Sequence, residues 1–70
     1  MEWRDLSDSE AKKLANYRNY STVEQFKESE GFDPPSRYNL VVEKGGTGKI
    51  GIRDGYGNYT ELGYTLSEIR

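Results

Sequence analysis

The sequence predicts an α+β domain in which two short helices pack on a three-stranded antiparallel β-meander, in the order α-α-β-β-β. Three observations support this class. Residues 38–66 contain three runs in which apolar side chains alternate with polar ones, as in strands with one buried face. Glycine-rich breaks at residues 45–48 and 55–58 separate these runs. Residues 8–30 instead carry apolar side chains at helical spacing, which predicts two helices before the sheet.

Length and composition favour one small domain, spanning residues 1–70, with a thin core. The chain contains neither cysteine nor histidine. This excludes disulfides, Ser-His and Cys-His nucleophile pairs and the usual zinc sites. The formal net charge is -2, from ten basic and twelve acidic residues, and no dense basic patch is visible in the sequence. We therefore expect a protein that is not an enzyme and that needs no metal or cofactor.

The first helix is predicted at residues 8–18. Ser7 and Glu10 form a capping box, in which the serine hydroxyl accepts from the glutamate N–H and the carboxylate reaches back to the serine N–H. Trp3 lies in the polar segment before this helix. We expect Trp3 to fold back as a lid on the core, because a chain this small needs every large apolar side chain it has.

The second helix is predicted at residues 22–30. Ser21 and Glu24 match a second capping box. Asn19 and Gly31 suit the left-handed residues that commonly follow helix ends, Asn19 after the first helix and Gly31 after the second.

The three strands are predicted at residues 38–43, 49–53 and 59–66, each with one buried and one open side. Residues 67–70 are expected to form a fraying end or one helical turn. The predicted core consists of Trp3, Leu14, Tyr17, Val23, Phe26, Leu40, Val42, Ile50, Ile52, Leu62, Tyr64 and Leu66.

The open face of the predicted sheet is the main candidate binding surface. Gly51 and Gly63 would leave gaps on this face where another backbone could approach. Arginine and tyrosine are enriched at interface hot spots. The alternative interpretation is that a tyrosine on this face only covers the glycines of the neighbouring strand. The candidate contact residues on this face and at the adjoining turn are Asn39, Val41, Arg53, Tyr56 and Tyr59.

The outer surface of the second helix is the other candidate. Glu24 and Glu28 lie one helical turn apart and make this surface acidic. An acidic surface would suit a basic partner, including a nucleic-acid-binding protein whose binding site it would occupy.

Two further patterns are interpreted as ordinary turns. Residues 45–49 look like part of a phosphate-binding loop, but Glu43 stands where the first glycine is required and Ile50 where the metal-binding hydroxyl belongs. The oxygen-bearing side chains of residues 54–61 do not match the spacing of a calcium loop.

The first functional hypothesis is a small acidic module that binds another protein without catalysis. Small size, acidity and missing catalytic residues are common among phage and mobile-element proteins, and this analogy suggests an inhibitor or modulator of a host macromolecular machine. We expect a cytoplasmic monomer or weak homodimer without membrane association. The polar, acidic start of the chain carries no apolar signal run, and no stretch approaches the roughly 20 apolar residues of a membrane span.

Two alternatives stay open. A single-strand nucleic-acid binder would stack bases on Tyr56 and Tyr59 and place phosphates on Lys49 and Arg53, although the net negative charge disfavours nucleic acid. A degenerate winged helix-turn-helix regulator would read DNA with the second helix. That helix is acidic, whereas a helix in the major groove should be basic or amide-rich.

Overall fold

The computed structural model describes residues 2–69 and shows a four-stranded antiparallel sheet with its helices on one side. The strands lie in the order β1-β2-β3-β4. The α+β class is therefore confirmed, and the predicted three strands are corrected to four. In chain order the elements are β1 (Trp3–Asp5), α1 (Asp8–Tyr17), α2 (Val23–Ser29), a 3-10 turn (Pro35–Arg37), β2 (Asn39–Glu43), β3 (Lys49–Arg53), β4 (Tyr59–Thr65) and α3 (Leu66–Ile69).

Strand β1 is the element that the sequence did not predict. It pairs with β2 so that Trp3 lies opposite Glu43 and Asp5 lies opposite Val41. Three residues are too few to show a period-2 alternation. Their pairing partner also lies beyond both helices in the chain, so no local turn signal announces the pairing.

Helix α1 begins at the predicted capping box. Ser7 Oγ accepts from Glu10 N at 3.2 Å, and the Glu10 carboxylate accepts from Ser7 N at 2.9 Å. The same carboxylate accepts two hydrogen bonds of 2.9 Å from the Arg4 guanidinium of β1. These bonds, Arg4 first and Ser7 second, lower the pKa of Glu10 to about 2. One side chain therefore both caps α1 and holds β1 in place.

Helix α2 begins at Val23, one residue later than predicted, and Thr22 is its N-cap. Thr22 Oγ1 accepts from Gln25 N at 3.1 Å, whereas Ser21 Oγ donates to the Gln25 side chain at 2.6 Å. The predicted capping box at Ser21 is therefore wrong. Each helix ends one residue before its predicted end. The predicted left-handed residues follow, with Asn19 at φ 68° after α1 and Gly31 at φ 91° after α2.

The core lies between the helices and the inner face of the sheet, the face that carries Leu40, Val42, Ile50 and Ile52. Its buried residues are Leu14, Ala15, Phe26, Leu40, Val42, Ile50, Ile52 and Ile69. The half-buried residues around them include Val23, Leu62, Tyr64 and Leu66, as predicted. Ile69 belongs to the single helical turn α3, one of the two outcomes expected for the C-terminal segment.

Two predicted core residues lie elsewhere. Tyr17 stays 46% exposed, because it ends α1, where its ring packs edge-on against Tyr64 and its hydroxyl donates to Glu68 at 3.3 Å. Trp3 is half-buried, but on the opposite face of the sheet. The prediction that Trp3 is a lid on the core is therefore wrong, because its ring covers the face that was expected to be open.

Candidate functional site

The outer face of the sheet is the face turned away from the helices. The strand register places its side chains in three rows across the sheet. The row nearest the β3–β4 turn brings three predicted contact residues together: Asn39, Arg53 and Tyr59. The middle row contains Asp5, Val41, Gly51 and Glu61, and the far row contains Trp3, Glu43, Lys49 and Thr65.

An aromatic pair crosses the middle of this face. Trp3 comes from one edge strand and Tyr59 from the other, and their rings stack with centroids 5.4 Å apart at an interplanar angle of 12°. The indole passes over Gly51. A Cβ on Gly51 would lie 3.1 and 3.2 Å from two indole carbons and 2.7 Å from the Thr60 carbonyl oxygen. Residue 51 must therefore be glycine for the rings to meet.

Val41 is not the exposed contact residue that we predicted. Its side chain is 0% exposed, in the row that the aromatic pair crosses. The prediction was wrong because it left this face uncovered, whereas Trp3 supplies a cover from β1. The predicted gap at Gly51 is likewise filled by the indole ring of the same chain. Gly51 is thus covered by Trp3 and not by the tyrosine of the alternative interpretation.

Both edges of the sheet are poorly suited to accept another strand. Strand β1 has three residues, and β4 contains a bulge. Gly51 lies opposite Glu61 while the preceding Ile50 lies opposite Tyr64. Farther along β4, the Thr65 N–H donates to the Glu68 carboxylate at 3.2 Å. Short, bulged or capped edges disfavour strand addition, so the face is the more suitable surface for a partner.

Tyr56 lies exposed in the β3–β4 turn, and hydrogen bonds stabilise the backbone of this turn. The Asp54 carboxylate accepts from Tyr56 N at 2.8 Å and from Asn58 N at 3.0 Å. Asp54 N in turn donates to Asn58 O at 3.0 Å. These N–H groups, that of Asn58 first, lower the pKa of Asp54. The Tyr56 side chain is 92% exposed, so the turn is ordered while its aromatic ring is free.

Two ion pairs flank the aromatic pair. Arg53 Nη2 lies 3.2 Å from Asp5 Oδ1, and Lys49 Nζ lies 3.9 Å from Glu61 Oε1. The neighbouring Tyr59 hydroxyl, followed by the charge of Asp5, raises the pKa of Arg53. Both cations that a nucleic-acid binder would place on phosphates therefore already have a carboxylate partner.

The structure does not place Glu24 and Glu28 on this face. They lie on α2, in the layer that covers the inner face, and both are exposed. Glu24 lines a cleft that also includes Asp5 and Asn39, so it lies at the margin of the outer face. Glu28 is not among the residues that line this cleft.

This cleft has a volume of about 530 Å³ and was not predicted. It lies where the end of β1, the starts of α1 and α2 and the start of β2 come together, and sequence patterns cannot join four such separate segments. Its apolar lining consists of Leu6, which follows β1, and of Ala11, Val23 and Leu40. The charged side chains around it are Asp5, Asp8, Lys12, Glu24 and Lys27.

Lys27 is already bound within the protein. Its ammonium donates to Tyr38 O at 2.7 Å and to Pro35 O at 3.3 Å. Burial lowers the pKa of Lys27, and the charge of Glu24 partly offsets this effect. Lys27 thus fastens α2 to the 3-10 turn and to the segment that enters β2.

Within residues 2–69, no group of three or more carboxylates is placed to hold a metal ion. No helix in the same range is both long and apolar enough to cross a membrane. Comparisons of the chain with protein-family models, curated proteins and solved structures give no match.

Proposed function

We propose that this protein is a non-catalytic module that binds another protein through the outer face of its sheet. The contact surface lies at the end of this face nearest the β3–β4 turn. We call it the tyrosine patch, and it consists of Asn39, Arg53, Tyr56 and Tyr59.

The observation that supports this function best is the state of Tyr56. A large aromatic side chain that is 92% exposed contributes little to the fold, yet the turn beneath it is fixed by hydrogen bonds to Asp54. Binding through an ordered support loses less conformational entropy than binding through a mobile loop. Tyrosine also provides contact area with few rotatable bonds. Tyr56 therefore has the properties of an interface anchor.

The charge pattern favours a different chain over a second copy. Suppose two copies met face to face about a two-fold axis parallel to the strands. Asp5 of one copy would then lie over Glu61 of the other. An axis perpendicular to the strands would place Arg53 over Lys49. Like charges disfavour the second arrangement. In the first arrangement Glu43 would also lie over Lys49, so attraction only balances the Asp5–Glu61 repulsion. Neither arrangement gains from charge, and we propose a monomer or weak homodimer that binds a partner of another kind.

We further propose that binding is itself the activity. A chain of 70 residues acts in this way by occupying a surface of a larger assembly, as an inhibitor or modulator of that machine. The cytoplasm remains our proposed location, on the polar composition of the chain.

The test begins with capture of the partner from native-host extract, followed by affinity measurements with the purified partner. Tyr56→Ala should weaken binding by about 2 kcal/mol, roughly 30-fold, and leave the melting temperature unchanged. Tyr17→Ala removes another exposed tyrosine, on the helical side, and should bind like wild type. Wild-type affinity in both Tyr56→Ala and the Arg53→Ala/Tyr59→Ala double variant would exclude the tyrosine patch.

A salt series with a labelled single-stranded oligonucleotide tests the nucleic-acid alternative. We expect no binding even at low salt, because Lys49 and Arg53 are paired. Binding that weakens steeply as salt rises would instead support phosphate recognition.

A further inference from the structure

The outer face combines aromatic rings with charges that are already paired. Trp3 and Tyr59 stack across this face, and two ion pairs flank the stack. Tyr59 is 44% exposed and Tyr56 is 92% exposed. A charged ligand would have to break one of the ion pairs or leave its own charge without a partner. The segment that complements these rings is therefore uncharged.

The polar groups of the tyrosine patch are rich in hydrogen-bond donors. The hydroxyls of Tyr56 and Tyr59, the Asn39 amide and the Arg53 guanidinium can each donate. Only the Nη2 atom of Arg53 forms the contact with Asp5, and a guanidinium carries five N–H donors. A polyproline II helix has the matching backbone, because its carbonyl groups make no internal hydrogen bonds and its proline residues have no N–H.

Two other modes of peptide recognition fit this surface less well. Strand addition needs an open sheet edge, and both edges here are short, bulged or capped. An amphipathic helix is about 10–12 Å wide and needs a continuous apolar groove, whereas ion pairs interrupt the apolar surface on both sides of the aromatic pair. Aromatic side chains are the usual binding surface for polyproline II segments.

We propose that the partner binds through a proline-rich segment in the polyproline II conformation. Its proline rings pack on Tyr56 and Tyr59, and its carbonyl groups accept hydrogen bonds from the donors of the tyrosine patch. This inference rests on the proposed function for the location of the site and adds the chemistry of the ligand. Such a segment is extended before it binds, and hydrogen bonds to Asp54 fix the turn below Tyr56. Both sides therefore lose little conformational entropy.

Decaproline with blocked ends is the probe for the test, and amide chemical shifts of the full chain are the measurement. The probe is uncharged and offers carbonyl acceptors along its whole length. We expect saturable shifts that concentrate on residues 53–59 and on the indole N–H of Trp3, with a dissociation constant on the order of 0.1–1 mM. A Gly-Ser peptide of the same length is uncharged but flexible and should cause no comparable shifts.

Two exposed tyrosines provide matched variants. Tyr56→Ala should weaken decaproline binding at least about fivefold, whereas Tyr17→Ala, on the helical side, should bind it like wild type. The dispersion of the amide spectrum verifies folding of both. Equal affinity in the two variants would overturn the proposal, as would shifts reproduced by the Gly-Ser peptide or tighter binding of a single-stranded oligonucleotide.

The same variants separate this inference from the proposed function. If decaproline does not bind while Tyr56→Ala still loses affinity for the purified partner, the ligand is not proline-rich and the tyrosine patch remains the site. Wild-type partner affinity in both Tyr56→Ala and the Arg53→Ala/Tyr59→Ala double variant is the different result that excludes the patch itself.

Discussion

The two faces of the sheet bury their apolar side chains in different ways. The inner face presents Leu40, Val42, Ile50 and Ile52 to two helices and to α3, so each side chain is covered by several elements. The outer face buries Val41 and covers Gly51 with one layer of aromatic rings. That layer depends on β1, an edge strand of three residues. The cover of the outer face therefore depends on a few local contacts of β1, and losing these contacts need not unfold the chain.

This difference matters for interpreting the binding surface, because its two tyrosines have unequal roles. Tyr59 stacks on Trp3 and contributes to the outer-face cover, whereas Tyr56 is almost fully exposed. A loss of binding in a Tyr59 variant would mix structural and contact effects. A Tyr56 variant avoids this ambiguity, because the exposed side chain contributes little to the fold. The two faces should also differ in how much a single substitution on them lowers stability.

Ile52→Ala should produce the largest loss of stability. Ile52 is 2% exposed on the inner face of β3, with a strand on each side. Large-to-small changes in such a core cost about 2–5 kcal/mol, and a domain of this size has only about 3–5 kcal/mol in total. Urea unfolding followed by circular dichroism should show a largely unfolded variant at room temperature. A nearly unchanged midpoint would mean that the inner core tolerates a cavity.

Val41→Ala tests the outer face directly and should cost about 1–3 kcal/mol. The range reflects two lost methyl groups together with a partly relaxed cavity under the aromatic pair. The matched control is Asn39→Ala, exposed on the same strand and face, which should change stability by less than about 0.5 kcal/mol. If Val41→Ala behaves like Asn39→Ala in urea unfolding, the aromatic cover does not exclude water.

Gly51→Ala should cost about 1–3 kcal/mol by overpacking. The added methyl group would meet both the indole and the Thr60 carbonyl oxygen, so the ring and the β4 backbone would both have to move. Gly55→Ala is the control, since its added Cβ lies 3.9 Å from the nearest atom, Arg37 O. We expect it to be neutral or slightly stabilising. Similar melting temperatures for the two variants would show that the indole yields at no cost.

The ion pair between Arg4 and Glu10 should give the smallest effect, visible through pH. Because the pKa of Glu10 is lowered from 4.5 to about 2 in the folded protein, its contribution is complete above pH 4.5 and is lost as the pH falls toward 2. Both side chains are partly exposed, so we expect about 1 kcal/mol or less.

Glu10→Gln is the variant for this measurement, because glutamine keeps the capping box but loses the charge. Wild type should exceed it in stability near pH 6, and the two should converge near pH 2. A constant difference across this range would mean that the hydrogen bonds, and not the charge, hold β1 to α1.

The parts of this fold that follow local rules were predictable. Alternating side chains identified the inner face of the strands. Local signals identified three helix ends: Ser7 at the start of α1, Asn19 after α1 and Gly31 after α2. Each signal acts through bonds within a few residues of the chain. Strand β1 could not be found in this way. Its pairing with β2 is non-local, and the indole and phenol rings that meet over Gly51 come from opposite ends of the chain.

In the candidate site, too, the features set by local sequence were predictable and those set by tertiary packing were not. Asn39, Arg53 and Tyr59 share a row because strand alternation fixes their side, and the spacing from Asp54 to Asn58 is enough to predict a turn that presents Tyr56. Whether Val41 is accessible depended instead on what covers the face, and the cleft beside Glu24 depends on how four segments meet. Both are properties of tertiary packing.

The position of Trp3 also makes the outer face observable by its own signal. It is the only tryptophan in the sequence, and its ring stacks on Tyr59 rather than in the helical core. Its fluorescence therefore reports the docking of β1, whereas far-ultraviolet circular dichroism reports the helices and the sheet as a whole. Coincident melting curves from the two signals would show that the edge strand and the core unfold as one cooperative unit. An earlier fluorescence transition would reveal a partly opened state in which the β2 edge and Val41 are accessible while the helical layer stays intact.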